Sequence, residues 1–189
     1  MKTAVLSLSL SLFTAALVPL AAQAQQAIVL AQSEVSFVSR QMGVPVEGRF
    51  KSFSAQVAFH PAKLATSKIA FSVDTGSADI SREANVELVK PLWFNVAAFP
   101  KATFQSTAIK RLDATRYEVS GQLSIKGLSS NVIVPVTLAQ NGATTTATGA
   151  FPIKRLAFRI GEKEWADTSM VADEVQVKFK IALTGVPKL

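Results

Sequence analysis

Residues 73–77 read Val-Asp-Thr-Gly-Ser, an apolar run ending in the signature that carries the aspartate of aspartic proteases. In those enzymes two carboxylates share one proton and activate water. The chemistry needs a second aspartate, and the chain has no other Asp-Thr-Gly and no Asp-Ser-Gly. The 189 residues are too few for two catalytic lobes. A homodimeric enzyme would also need a downstream apolar pair ending in glycine to support its catalytic loop, and none is present. Asp74 and Gly76 therefore read as turn residues closing a strand. Asp74, Asp79 and Glu83 lack the alternating order of oxygen donors, glycine and glutamate that makes an EF-hand calcium loop. His60 is the single histidine and cysteine is absent, so a zinc site has too few nitrogen and sulfur ligands. No Gly-x-Ser-x-Gly elbow accompanies His60. The chain is expected not to be an enzyme and to hold neither a metal nor a catalytic cofactor. Carboxylate-only hydrolysis is the one catalytic class that this count of parts leaves open.

The elements around these residues are strands. Val175 to Leu183 alternates apolar and polar side chains for nine residues, which sends Val177, Phe179 and Ile181 to one face and Gln176, Lys178 and Lys180 to the other. The same period of two runs through Ile69-Phe71-Val73, Val119-Gly121-Leu123-Ile125 and Val132-Val134-Val136-Leu138. Eight strands are expected, at residues 34–39, 53–59, 67–74, 102–109, 117–126, 131–140, 144–154 and 174–183. Gly127-Leu128-Ser129-Ser130 and Asn141-Gly142 read as hairpin turns. Ser81 is placed to cap a helix over 82–90, with Glu83 near its positive end and Pro91 stopping it. The aromatic cluster Leu92-Trp93-Phe94 with Phe99 follows, as a plug for an open end of the sheet. The fold class is all-β: an eight-stranded antiparallel barrel with one short helical insert, wide enough inside for side chains or one small ligand.

At the N-terminus Lys2 precedes an apolar run from Ala4 to Ala22, and Ala22-Gln23-Ala24 supplies small residues where a signal peptidase cuts. The expectation is a signal peptide over 1–24, cleaved after Ala24, and one domain over 25–189 in the periplasm. The absence of cysteine leaves no disulfide to stabilise an exported chain. The net charge is +7. Beyond the inner membrane that charge suits lipid headgroups or acidic proteins, with a membrane surface or a membrane protein as transient partner, and not nucleic acid; a solvated basic face with no specific partner is the alternative. An outer-membrane barrel also alternates, but Gln176, Lys178 and Lys180 would then face lipid.

Ser33-Glu34-Val35-Ser36-Phe37-Val38-Ser39 leads into Gln41-Met42-Gly43-Val44-Pro45-Val46-Glu47-Gly48. Further blocks run from Phe99 to Ser106 and from Tyr117 to Gly127, followed by Arg155, Gly161, Glu164-Trp165 and Asp173-Glu174-Val175. This ordered set resembles the YceI family, in particular its Gln-Met-Gly-Val-Pro-Val-Glu-Gly branch, across almost all of 25–189. The resemblance implies a lipocalin-like periplasmic barrel that binds a polyisoprenoid lipid, such as an isoprenoid quinone or another polyprenyl chain, without catalysis. A long apolar tail suits an apolar tunnel, since each buried methylene contributes about 0.8 kcal/mol.

The inward face of the strands supplies candidate tunnel residues. They are Phe37; Val57, Phe59 and Phe71; Phe104, Leu123 and Ile125; Val134 and Phe151; and Val177, Phe179 and Ile181. Met42, Trp93, Phe94, Phe99 and Trp165 are candidates for the mouth, where rings and a flexible thioether adapt to a tail. The alternative is a periplasmic interaction barrel with a packed core and no ligand. Cavity volume separates the two.

Overall fold

Alternating runs this numerous have to curl their sheet to hide one face. The computed structural model describes residues 26–189; the expected signal segment over 1–24 lies outside the described residues. All eight expected strands form, within an eleven-stranded antiparallel sheet. In chain order the elements are β1 (Ala27–Ile28), β2 (Glu34–Gln41), β3 (Val44–Phe50), β4 (Phe53–Ala58), β5 (Lys68–Asp74) and β6 (Ala78–Asp79). The helix α1 (Arg82–Leu88) comes next, before β7 (Lys101–Arg111), β8 (Arg116–Ile125), β9 (Leu128–Asn141), β10 (Thr144–Lys154) and β11 (Glu174–Thr184).

Among the described residues the expected strand count of eight is corrected to eleven. β1 and β6 are two residues each, too short for any periodicity to mark them. β3 was hidden because Pro45 and Gly48 interrupt its alternation. Its hairpin with β2 turns through Met42 (φ 48°) and Gly43 (φ 80°), the paired positive φ values of a type I′ turn. The β8–β9 hairpin repeats that device at Lys126 (φ 50°) and Gly127 (φ 76°). Leu128 already pairs with Ile125, so residues 128–130 belong to the strand and not to the turn. The helix is also two residues shorter than expected. Ser81 caps it by accepting from the Ala84 amide at 3.2 Å, and beyond Leu88 the chain reverses, with Phe94 N donating to Leu88 O.

Along the sheet the order is β4-β5-β7-β8-β9-β10-β11-β2-β3-β6, and β1 pairs with β11. Both ends of that path come from the same two chain runs. β3 continues into β4 across Lys51–Ser52, and β5 into β6 across a 3-10 turn at Thr75–Ser77. Hydrogen bonds from Lys51 N to Ser77 O and from Asp74 N to Ser52 O tie the two corners together. The remaining gap, between β4 and β1, is bridged by one side chain. Gln26 Nε2 donates to Phe59 O at 2.6 Å, and Gln26 Oε1 accepts from Phe59 N at 2.9 Å, as a neighbouring strand would. The sheet is thereby curled into a lipocalin-like barrel with its apolar faces inside.

Candidate functional site

The residues with catalytic potential are occupied structurally. Asp74 Oδ1 accepts from Gly76 N at 3.0 Å, an Asx turn that ends β5, and Thr75 Oγ1 donates to Phe99 O at 2.9 Å. His60 Nδ1 accepts from Ala62 N at 3.2 Å in a surface turn. Asp79 is held by Asn85 and by the cations of Lys51 and Arg49, which keep its carboxyl below the ordinary value. Among the described residues no three His, Cys, Asp or Glu side chains gather as metal ligands would.

The barrel interior is open. A narrow chamber of about 190 Å³ occupies the end near the C-terminal segment. A wider one of about 580 Å³ lies under α1 and the β2–β3 hairpin. Both are lined by Val35, Val73, Ala102, Leu123, Phe151 and Val177, which form a shared neck. The narrow chamber is closed below by Val186, buried on the C-terminal segment. Gln140 pins that segment: its Nε2 donates to Val186 O and Pro187 O, and its Oε1 accepts from Leu189 N. Among the described residues no charged side chain lines the narrow chamber.

Glycines shape the walls. Gly149 stands opposite Phe179, and Gly48 opposite Phe37. A methyl group at either position would collide with the facing ring. Gly121 makes the same room for Phe104. Each ring lies across a glycine on the neighbouring strand, which flattens the aromatic against the wall and leaves the axis clear.

At the mouth the polar groups are Ser39 and Gln41 on β2, Ser81 at the helix cap, and Glu83 and Glu87 on α1. Among the described residues the only cation lining the wide chamber is Arg155, which is 2% exposed. All five of its N–H groups are used. Nε donates to Ala172 O (3.1 Å), one terminal nitrogen to Ile160 O and Gly161 O (both 2.8 Å), and the other to Trp165 O (2.6 Å) and Val171 O (2.7 Å). Burial lowers its pKa from the ordinary value, and the charge of Asp173 opposes that shift. Arg155 thus folds the irregular segment between β10 and β11 and has no donor left for a ligand. Met42 and Met170 stand at the rim, 72% and 47% exposed, joined by a hydrogen bond from Met42 N to Met170 O.

Of the residues singled out from sequence, Val57, Phe59, Phe71 and Phe104 line the narrow chamber. Val134, Phe179 and Ile181 complete that group. Leu123, Phe151 and Val177 are at the neck. Phe37, Met42, Trp93, Phe94, Ile125 and Trp165 line the wide chamber. The indoles of Trp93 and Trp165 lie 5.4 Å apart between centroids. Phe99 is a correction: it lines neither chamber, because its ring packs on the Gly127 turn. Sequence reasoning missed Ala102, Tyr117, Glu83, Glu87 and the fivefold role of Arg155. Ala102 and Tyr117 share the parity of Phe104 and Val119 on their strands, so the period of two could have found them. Nothing in the sequence marks the carbonyls that converge on Arg155.

A family model described as the YceI-like domain matches residues 27–183. A UPF0312 protein of Azotobacter vinelandii is 31% identical over 88 residues, 46% of this chain and 46% of that protein. Protein YceI of Salmonella newport is 29% identical over 96 residues, 50% of each chain. The chain thus spans about half the length of the curated relatives it matches. Among solved structures, BcnA of Burkholderia cenocepacia is 50% identical, with a TM-score of 0.79, over 82% of this chain and 98% of that one. A polyisoprenoid binding domain from Saccharophagus degradans shares the fold at 13% identity, with a TM-score of 0.68, over 85% of this chain and 98% of that one.

Proposed function

The chain belongs to the YceI-like family, and from that premise we propose that it is a periplasmic carrier of a polyisoprenoid lipid, either an isoprenoid quinone or another polyprenyl chain. The observation that carries this reading is the pair of apolar chambers joined at one neck. An unfilled apolar space is costly: at ~24 cal/mol per Å³, the 190 Å³ narrow chamber alone forgoes about 4–5 kcal/mol of packing. A barrel evolved only as a surface would fill that space with side chains. An extended isoprenoid chain fills it without catalysis, and each buried methylene contributes about 0.8 kcal/mol. The polyisoprenoid binding domain of Saccharophagus degradans lends support through the shared fold.

Loading requires that the lipid leave a membrane. Met42, Val44 and Met170 are exposed apolar side chains near the β2–β3 hairpin tip and the segment it bridges. A membrane surface or a membrane protein would cover them during transfer. Export depends on the apolar run before Ala24, and the mature protein is expected to begin at Gln25. The decisive experiment is native mass spectrometry of the protein purified from the periplasm of its own bacterial host. A bound lipid with isoprene-spaced fragments, and an N-terminus at Gln25, are expected. Repeated recovery of lipid-free protein that takes up no polyprenyl probe would reject the carrier in favour of an interaction barrel.

A further inference from the structure

The end of the barrel opposite the mouth carries more than half of the net charge of +7. Lys63 lies on the β4–β5 connection and Lys68 opens β5; Lys110, Arg111 and Arg116 flank the β7–β8 hairpin, and Lys188 lies on the C-terminal segment. All six are exposed. Their segments meet on one apolar cluster, which includes Leu64 beside Lys63, Tyr117 beneath the Arg111 guanidinium, and Leu189 beside Lys188. The acidic side chains at this end are Asp113 and Glu118, which leaves a surplus of four positive charges among the described residues. Asp113 pairs with Arg116, and Glu118 stands opposite Lys110 in the ladder. One step up the wall Glu34 stands opposite Lys180, and the two offset each other. Lys63, Lys68, Lys110 and Lys188 form no ion pair among the described residues. The mouth differs. There Lys90, Lys126 and Lys154 pair with Glu87, Glu162 and Glu174, and Arg155 is saturated by carbonyls.

We propose that this basic base is a docking surface for an anionic lipid bilayer. The arrangement of the cations selects a bilayer over a folded acidic partner. They come from separate stretches of chain, and most are lysines, point charges on flexible stems that meet a field of phosphates without a fixed geometry. An apolar side chain stands among them. Leu112, 46% exposed, lies at the tip of the β7–β8 hairpin beside Arg111, with Arg116 on the returning strand. It enters the lipid interface while the cations meet the headgroups, the pattern of a peripheral membrane surface. Docking of this kind needs no cargo, so it stands apart from the carrier reading. A base held on the bilayer turns the mouth away from it. Under the carrier reading, the tail is then exchanged with a partner other than the bilayer that holds the protein.

The test is vesicle flotation with the purified protein. Phosphatidylcholine vesicles are compared with vesicles in which about 30% of the lipid is phosphatidylglycerol, at low and at high salt. Wild type is expected to float with the anionic vesicles at low salt, to leave them at high salt, and to ignore the neutral ones. Two triple variants remove the same charge from opposite ends: Lys63→Gln/Lys110→Gln/Lys188→Gln at the base and Arg82→Gln/Lys90→Gln/Lys154→Gln at the mouth. The base triple should bind about a hundredfold more weakly, about fivefold for each cation, and the mouth triple should stay within about twofold of wild type. Because the chain has no cysteine, Leu112→Cys and Met42→Cys can each carry one environment-sensitive dye. The dye at position 112 should shift to the blue on anionic vesicles, and the dye at position 42 should not. Equal losses in the two triples, or a blue shift at position 42 and none at 112, would overturn docking by the base. Equal binding to neutral vesicles, or no binding to anionic ones, would overturn it as well. None of these results depends on uptake of a polyprenol, so the carrier reading stands or falls separately.

Discussion

Ala102 lines both chambers, and its methyl is the smallest side chain on the neck. It pairs with Val73 across β5 and β7, so its position is fixed by the ladder. Ala102→Phe would set a ring into the neck and divide the interior in two. Filling the narrow chamber of about 190 Å³ is worth about 4–5 kcal/mol at ~24 cal/mol per Å³. A ligand denied that space should lose roughly three decades of affinity. A short probe that stays in the wide chamber should lose nothing. The assay is competition binding of a long polyprenol and of geraniol against the variant and wild type, paired with thermal unfolding of the lipid-free proteins. Stability separates the two views of the interior. Where the neck is open, the ring enters free space and the unfolding temperature holds or rises. Where the core is packed, the extra ring costs about 1–3 kcal/mol and the temperature falls. Unchanged affinity for the long polyprenol, or a clear loss of stability, would refute the continuous tunnel.

Three further outcomes follow from the walls and loops. Arg155→Lys keeps the charge but has three donors, so at least two of the five carbonyls lose their partner. A loss of about 2–5 kcal/mol is expected by denaturant unfolding, with amide exchange accelerated over residues 156–173. Gly149→Ala would drive a methyl into the Pro135 carbonyl and the Phe179 ring; about 1–3 kcal/mol should be lost, with uptake of polyprenol reduced as the ring tilts into the chamber. Asp113 is held at about 2, below its ordinary 3.8, by the Thr115 amide first and then by the Arg116 side chain and amide. Its folded pKa is depressed, so its stabilisation is complete above the unfolded value and is lost as pH falls toward about 2. Asp113→Asn should flatten the fall in melting temperature between about pH 4 and pH 2, and carboxyl NMR titration should place the wild-type midpoint near the bottom of that window.

What was legible in the sequence was whatever repeats with a fixed period. Val177, Phe179 and Ile181 point inward because side chains alternate, and that holds wherever the strand sits in the sheet. Lys178 and Lys180 face outward for the same reason. Contacts set by three-dimensional closure left no such trace. Gln26 replaces a strand for Phe59 across 33 residues, and the five acceptors of Arg155 are backbone carbonyls that any sequence would provide. Phe99 shows the converse error. An aromatic close to Trp93 and Phe94 in sequence looked like part of the mouth, but the chain reverses after Pro91 and carries it onto the Gly127 turn. The Asp-Thr-Gly-Ser run shows how a motif without its partner reduces to the local hydrogen bonding that its residue types favour anywhere.

A barrel that keeps its axis open cannot draw its rigidity from a filled core. Here the ends are held by polar side chains bonded to backbone: Gln26 at the seam, Gln140 under the base, and Arg155 beside the mouth. None of these bonds involves the space a tail would fill. The neck and walls, in contrast, are hydrocarbon that gains packing only when something lies against it. Occupancy and closure are therefore separate contributions. A ligand raises stability by mass action on the folded state, and its departure leaves the seam, base and mouth in place. That separation is what the proposed carrier role needs, since a protein that unfolded on unloading could not be loaded again. It also locates the vulnerable point of the design in the few side chains that bind backbone at the ends, and not in any one of the many that face the tunnel.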